Sequence, residues 1–471
     1  MITLQHIFES VGSVLWGPFV LIPLLLGTGL YLTIRLGGIQ FKMLVPALRL
    51  AFVKRTDSKE ASNLEGDISH YQALTTALAA TVGVGNIAGV ATAIHFGGPG
   101  AVFWMWVTGL LGMASKYAEA FMGSRFRTKD DRGEISGGPQ YYLEHTTKNR
   151  SFGKFLAISF AVFAALASFG IGNMTQSNTV SGQLEASFGW DPTLVGLIMA
   201  VGIGAVLLGG IKSIGRVTSA FVPLMIILYV GGGLIILGLH IAEIPAALAL
   251  IVKDAFTGTA AVGGFAGSAF LIVLQYGVAR GIFSNESGMG SAAIAAAAAK
   301  THHPVRQGLV SMTQTFIDTI VVVTITALVI VVTGVWQSGL NGAPLTAEAF
   351  SVGFPGTQGH FIVAVSVVFF AFSTMLGWAY YGERSTERLL GIKGVKPYRL
   401  AFTIVVFVGA VTQLKTVWAF SDVMNALMAV PNLIGLLLAS GLIVRETKAY
   451  LEKDPDLTHP QDFLASDGKH A

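Results

Sequence analysis

The chain has 471 residues, 53% of them hydrophobic and 12% charged, with a formal net charge of +4. An ordinary soluble domain carries about 25% charged residues, so this composition excludes one, and a charge so near balance points to no nucleic-acid partner. Cysteine is absent, which excludes disulfides and thiolate metal sites.

A membrane span needs about 20 mainly apolar residues. Eleven stretches qualify, near 12–34, 72–96, 99–123, 155–178, 194–211, 216–239, 262–299, 307–335, 358–390, 399–414 and 417–444. They predict an all-α polytopic membrane protein with 11 transmembrane helices. The first stretch follows Glu9 with no basic residue before it and no A-x-A-like site after it, so it reads as a span and not as a secretory signal. Basic residues gather on one side of this arrangement. Arg35, Lys42, Arg49, Lys54, Arg55 and Lys59 follow the first stretch, Arg125 to Lys154 the third, and Arg384 to Arg399 the ninth. That side is cytoplasmic, which puts the amino terminus outside and the carboxyl terminus inside. Trp16, Trp104, Trp106, Trp190, Trp336 and Trp418 fall near the predicted outer ends, where amphipathic rings prefer to sit.

In the second stretch, Thr75 to Gly89 reads TTALAATVGVGNIAG. Gly83 and Gly85 allow a break between two half-helices at low steric cost. An unwound backbone at membrane depth is tolerated only where protein buries it or a wet cavity solvates it, so the break predicts a ligand site. The half-helix ending near Val82 offers carbonyls from about Leu78 to Val82, which suit a cation, and the next begins near Gly85 or Asn86 with N–H groups that suit a carboxylate. One interruption thus serves both an amino acid and a monovalent cation.

Further along, Ser168 to Asn178 is a polar cluster with Gly172 and Gln176 on one face; the alternative reading is a helix end emerging into water. Ile244 to Phe256 reads as a short helix on the outer surface. GVARGIFSNESGMG, residues 277–290, predicts a second break at Gly277, Gly281, Gly288 and Gly290, with Phe283, Ser284, Asn285 and Glu286 facing Asn86. Arg280, Glu286 and Asp318 are costly in lipid, about 2.5–3.5 kcal/mol each at a helix centre, and read as a pairing or gating network. The loop from Val335 to Gly359 either caps an entrance or is plain surface. Ser373 and Thr374 place two hydroxyls mid-span for a cation, which Thr81 and the Asn86 amide complete or supplement, although such hydroxyls usually bond to their own helix backbone. Trp378, just past the centre of that span, is either packing or part of the site.

Without the first span, ten remain, five on each side of 241–261, and the first of each five is glycine-broken. Matched interruptions in two halves point to a secondary transporter's binding site, and an odd number of spans per half makes the repeats inverted. The organisation is 1–71, an amino-terminal helix and its connection; 72–240, a first five-helix repeat; 241–261, an external connection; 262–445, a second repeat; and 446–471, a cytoplasmic tail. Gly83 to Gly89 misses the dinucleotide fingerprint by one residue of spacing, and no zinc-protease helix, phosphate loop or nucleophile elbow occurs. No enzyme is expected.

EGDISHYQALTTALAATVGVGNIAGVATAI, GGPGAVFWMWVTGLLGMASKYAEA, GIGNMTQSN, GIFSNESGMGSAAIAAAAAK, GWAYYGE and VPNLIGLLLASG resemble the alanine/glycine:cation symporter family, the sodium–alanine symporters, over essentially the whole chain. The resemblance implies a leucine-transporter-type 5+5 inverted repeat with one additional N-terminal helix. It also implies Na+ as coupling ion and uptake of small neutral amino acids such as alanine and glycine across a bacterial or archaeal plasma membrane, with no obligate protein partner. Residue by residue, it implies substrate contacts at Gly83, Val84, Gly85, Asn86, Gly172, Gln176, Phe283, Asn285 and Trp378. The Na+ ligands it implies are Ala79, Val82, Ser373 and Thr374, with Thr81 and Asn86 as a second group. Many members carry Thr where Val84 stands, so a hydroxyl contact is absent here. A proton-coupled amino acid transporter, with Glu286 or Asp318 carrying the proton, is the closest alternative.

Overall fold

The computed structural model describes residues 2–17, 19–53, 66–257, 266–356 and 358–457. Lys54, Arg55 and Lys59, part of the 241–261 connection and the tail beyond residue 457 lie outside the described residues. Apart from a two-stranded hairpin, Thr128–Lys129 with Ile135–Ser136, the regular elements are helices. Among the described residues, six are long and apolar enough to cross a membrane: Arg150–Phe188, Gly210–Leu239, Pro304–Val332, Gln358–Leu390, Ile392–Val411 and Lys415–Lys453. A seventh is the pair Tyr71–Thr81 and Val84–Gly97, bent by 54°.

Several predicted elements take a different form. The first stretch, 12–34, is two helices, Ile2–Leu15 and Leu21–Arg35. The sequence between them holds Gly17 and Pro18, and a proline cannot donate the bond a continuous helix needs. The first of the two packs along Leu414–Lys453, where Trp16 Nε1 donates to the Asp422 carbonyl at 2.8 Å. The fourth stretch does not emerge into water at Asn178. It continues to Phe188 through a π-helical segment, Gly170–Met174, and Ser168, Asn173, Gln176 and Ser177 are buried in protein.

Ile244–Thr257 is helical, as expected, but it is no loose surface helix. Asp254 is buried and accepts the Gly100 N–H at 2.7 Å, capping the start of Ala101–Arg125. The loop from Val335 to Gly359 folds into a mostly buried helix, Ala343–Gly353, whose Thr346 hydroxyl donates to the Ile87 carbonyl at 2.9 Å. This segment therefore sits against the residue that follows the first break.

The opposite, basic end is laced by ion pairs. Arg384 bonds Asp130 at 3.0 Å, Glu134 at 2.6 Å and Glu387 at 2.9 Å, while Arg132 reaches Glu387 at 3.2 Å. Arg388 pairs with Glu144. Burial alone would raise the Asp130 carboxyl, but the Arg132 guanidinium and the Glu134 and Arg132 backbone N–H groups outweigh it and hold its pKa down at about 2. The hairpin carries Asp130 and Glu134 onto the end of Gln358–Leu390.

At the same end His303 precedes the helix Pro304–Thr315, and its Nδ1 accepts the Val305 N–H at 3.2 Å. Only a neutral ring can accept there. Burial, then the charges of Arg125 and Arg306, push its pKa down from 6.5 to about 4. The unfolded chain therefore binds more protons between these values, and stability falls as pH drops through that window. Thermal unfolding of the detergent-solubilised protein is expected to lose stability from about pH 6.5 downwards, and His303→Asn, which caps without titrating, should flatten the profile. An unchanged profile in the variant would refute this role.

Candidate functional site

The first broken helix starts with a capping box. Ser69 Oγ accepts the Gln72 N–H and Gln72 Oε1 accepts the Ser69 N–H, both at 3.1 Å. The helix His70–Thr81 ends at Val82, Gly83 is extended (φ −130°, ψ −157°), a single 3₁₀ turn covers Val84–Asn86, and Ala88–Gly97 resumes the α-helix. Glycine is required at Gly83 by proximity. A Cβ there would strike Thr374 Oγ1 and come within 3.3 Å of Gln176 Oε1. At Gly85 a Cβ would lie 3.1 Å from Ser284 Cα and 3.2 Å from Phe283 Cδ1. The two broken helices thus touch at their breaks.

Side-chain amides meet the backbone groups freed by the first break. Asn86 Oδ1 accepts the Gly83 N–H at 3.0 Å, and Gln176 Oε1 accepts the Val84 N–H at 3.3 Å. Gln176 Nε2 donates to the Ile171 carbonyl at 2.8 Å, inside the π-helical segment. On the carbonyl side, Thr374 Oγ1 donates to the Ala79 carbonyl at 2.8 Å. Val82 closes its own turn, its N–H bonding the Leu78 carbonyl at 2.7 Å.

The remaining hydroxyls proposed for a cation are held locally. Ser373 Oγ donates to the Phe370 carbonyl at 3.0 Å and lies 3.4 Å from Met225 Sδ. Thr81 Oγ1 bonds back to Ala77 at 3.1 Å and accepts Gln314 Nε2 at 3.0 Å. Asn86 turns elsewhere, donating through Nδ2 to Asp318 Oδ1 at 2.7 Å. The structure therefore brings Ala79, Gly83, Gln176 and Thr374 together, joins Asn86 to them through the Gly83 N–H, and leaves Thr81 on separate partners.

The second break lies at the last two of the four glycines expected to mark it. Ala266–Asn285 runs without interruption through Gly277 and Gly281, which admit the close approach of Ala101 and Thr108, and the chain turns at Glu286 (φ +55°), Gly288 and Gly290. Asn285 Oδ1 accepts the Ser287 N–H at 2.9 Å and its Nδ2 reaches Thr319 Oγ1 at 3.1 Å. Trp378 belongs to this break. Its Nε1 donates to Glu286 Oε1 at 2.6 Å, Ser291 Oγ donates to Oε2 at 2.6 Å, and the face of the indole base packs on Gly172. Phe283 stacks with Trp418, ring centres 4.5 Å apart.

Arg280, Glu286 and Asp318 do not pair with one another. Arg280 bonds Asp422 at 2.7 Å and lies over the Trp418 ring at 4.4 Å. Asp318 accepts Asn86, Ser284 Oγ at 2.9 Å and Thr319 Oγ1 at 2.8 Å. Every one of these groups except Asp422 and Trp418 is buried. Sequence reasoning missed Gln314 altogether and could not locate Asp318. Gln314 closes a polar stretch, Pro304–Thr315, and Asp318 follows in a π-helical segment, Phe316–Val323, whose winding the sequence does not announce.

A cavity of about 560 Å³ lies beside this cluster, bordered by Ala88, Thr179, Ala279 and Trp418. The predicted contact residues do not line it. They lie two to four residues away, Asn86 before Ala88, Gln176 before Thr179 and Phe283 after Ala279.

Comparison with known proteins adds three findings. A model of the sodium:alanine symporter family matches residues 1–463. The chain is 53% identical over 448 residues, 94% of this chain and 96% of the other, to the sodium/alanine symporter AgcS of Methanococcus maripaludis. It is also 38% identical over 460 residues, 96% of this chain and 93% of the other, to the probable sodium/glutamine symporter GlnT of Bacillus subtilis. Among solved structures, MhsT in complex with L-phenylalanine superposes with a TM-score of 0.56 at 15% identity, covering 82% of this chain and 99% of that one, a likeness of fold alone.

Proposed function

The chain belongs to the sodium:alanine symporter family, a family of transporters and not enzymes, and from that membership we propose that it couples inward Na+ flow to uptake of alanine and glycine by alternating access. The observation that carries this reading is the first break, where the Gly83 and Val84 N–H groups open on one side and the Ala79 carbonyl meets Thr374 Oγ1 on the other. The N–H groups, now held by the exchangeable amides of Asn86 and Gln176, suit a substrate carboxylate. The carbonyl end of the half-helix suits Na+, with Ala79 and Val82 carbonyls and the Ser373 and Thr374 hydroxyls as ligands. Phe283, Asn285 and Trp378 close the pocket from the second break, and Trp378 against Gly172 leaves room only for a small side chain. Eleven spans in a five-plus-five inverted repeat, with the amino terminus outside, complete the reading.

One Na+ moving down about 100 mV gains roughly 2.3 kcal/mol, and at about 1.4 kcal/mol per decade that sustains well over tenfold accumulation. The direct test is uptake of labelled alanine into proteoliposomes with Na+ and pH gradients imposed separately. Accumulation that follows the pH gradient alone would favour proton coupling, for which Asp318 is the observation, a buried carboxylate whose bonds among the described residues come from the neutral groups of Asn86, Ser284 and Thr319.

Asn86→Ala frees the Gly83 N–H and takes one of three donors from Asp318, while Thr374→Ala removes the hydroxyl on Ala79. Both are expected to impair uptake more at low Na+ than at high Na+, raising the half-saturating Na+ concentration about tenfold, the effect of losing one buried hydrogen bond to a charged group. Parental rates in both variants at low Na+ would remove the cation assignment.

A further inference from the structure

The two breaks differ in what meets their freed backbone groups. Glu286 closes the last turn of Ala266–Asn285, its N–H bonding the Ile282 carbonyl at 2.8 Å, and its own carbonyl, at the negative end of that half-helix, accepts Lys116 Nζ at 3.1 Å. Glu119, three residues further along Ala101–Arg125, meets the far side of the same break: its Oε1 accepts the Gly290 N–H at 2.9 Å and Asn432 Nδ2 at 2.8 Å. One face of one helix supplies both charges. Gly112 brings that helix close, since a Cβ there would lie 2.7 Å from Ser287 Cβ. At the first break, by contrast, the Ala79 carbonyl meets only a hydroxyl, and the Gly83 and Val84 N–H groups meet only amides.

Lys116 is fully buried, and among the described residues its ammonium group makes no other hydrogen bond. The carboxylates within its electrostatic reach are those of Glu119, Glu286 and Asp318. The donors on Glu286 and Asp318 are neutral, and Glu119 Oε2 is buried with no donor at all. Buried charge persists only where opposite charge compensates it, so these acids need a cation and Lys116 is the one built in. We infer that Lys116 is a tethered cation, holding permanently at the second break the position that an exchangeable Na+ takes at the first, so that each amino acid enters with a single Na+. Lysine suits this task, because its ammonium is a compact point charge on a flexible stem. Being covalently attached, it does not leave with the substrate.

This inference rests on the reading of the chain as a Na+-driven symporter, and the test keeps the two apart. In proteoliposomes the parent is expected to move about one labelled Na+ per labelled alanine, and its initial uptake at low Na+ to rise with a log–log slope of about one. Lys116→Ala vacates the position. Its uptake at low Na+ should fall about tenfold, and its slope should approach about two because a second ion must now bind. Methylammonium chloride, which supplies the missing group in free form, should return the slope to that of the parent, whereas choline chloride, with no N–H to donate, should not. Thermal unfolding of detergent-solubilised Lys116→Ala in the same two salts needs no transport, and methylammonium alone should stabilise it. A parental slope in Lys116→Ala, with no response to methylammonium in either assay, overturns the tethered cation and leaves the symporter reading intact. Stabilisation by methylammonium in a protein whose parent accumulates no alanine upholds the tethered cation and overturns the symporter reading. Should Lys116→Ala fail to fold in both salts, the ion ratio of the parent decides: a single Na+ per alanine upholds the inference and a pair overturns it.

Discussion

Gly172→Ala is expected to cut Na+-driven alanine uptake by about ten- to a hundredfold while the protein still reaches the membrane. A Cβ at this position would fall on Trp378 Cβ and Cγ and lie 2.8 Å from Cδ2, closer than atoms in proteins approach. Trp378 cannot swing aside freely, because its indole N–H is fixed to Glu286 at 2.6 Å. Either the helices part or the indole loses that bond. Overpacking of this kind costs typically 1–3 kcal/mol, and the cost falls on the contact proposed to shape the substrate pocket. The matched control is Gly231→Ala, in the helix Gly210–Leu239, where a Cβ meets nothing within 4 Å; its initial uptake rate per molecule should equal the parent's. Equal rates in the Gly172 and Gly231 variants would show that Trp378 does not border the transported substrate.

Asp318→Asn should have an effect of similar size through different physics. The carboxylate accepts three donors, Asn86 Nδ2, Ser284 Oγ and Thr319 Oγ1, and so ties the first break to the second. An amide of the same shape keeps one acceptor oxygen and turns the other into a donor, so either that donor faces Asn86 Nδ2 or the Ser284 and Thr319 hydroxyls give up donating to it. A buried donor left without a partner costs about 1–3 kcal/mol, equivalent to roughly ten- to a hundredfold in uptake. Ser284→Ala removes a single bond to the same carboxylate and should do less. If Asp318→Asn transports at the parental rate, the link between the breaks is dispensable.

Which features could be read from the sequence follows from how local their causes are. The first break was legible because Gly83 and Gly85, one residue apart and followed at once by an amide, interrupt an apolar run in which a continuous helix needs neither. At the second, Gly288 and Gly290 do turn the chain, but Gly277 and Gly281 serve close helix packing and not a turn, and a sequence does not distinguish these two uses of glycine. Hydropathy alone joined 12–34 into one span although Gly17 and Pro18 stood inside it. Thr81 and Ser373 show a further limit. Their depth was legible, but whether a hydroxyl faces a ligand or its own backbone depends on rotamer and neighbour, here Gln314 and Met225. The Ala343–Gly353 helix escaped notice because its apolar face is matched to residues distant in the chain.

Trp16 grips the carbonyl of Asp422, and Asp422 holds Arg280, so the first fifteen residues are wall material for the cavity and not just an anchor. A purification tag or fluorescent fusion joined to this helix would load a cavity wall, so such additions belong at the opposite terminus, past Lys453.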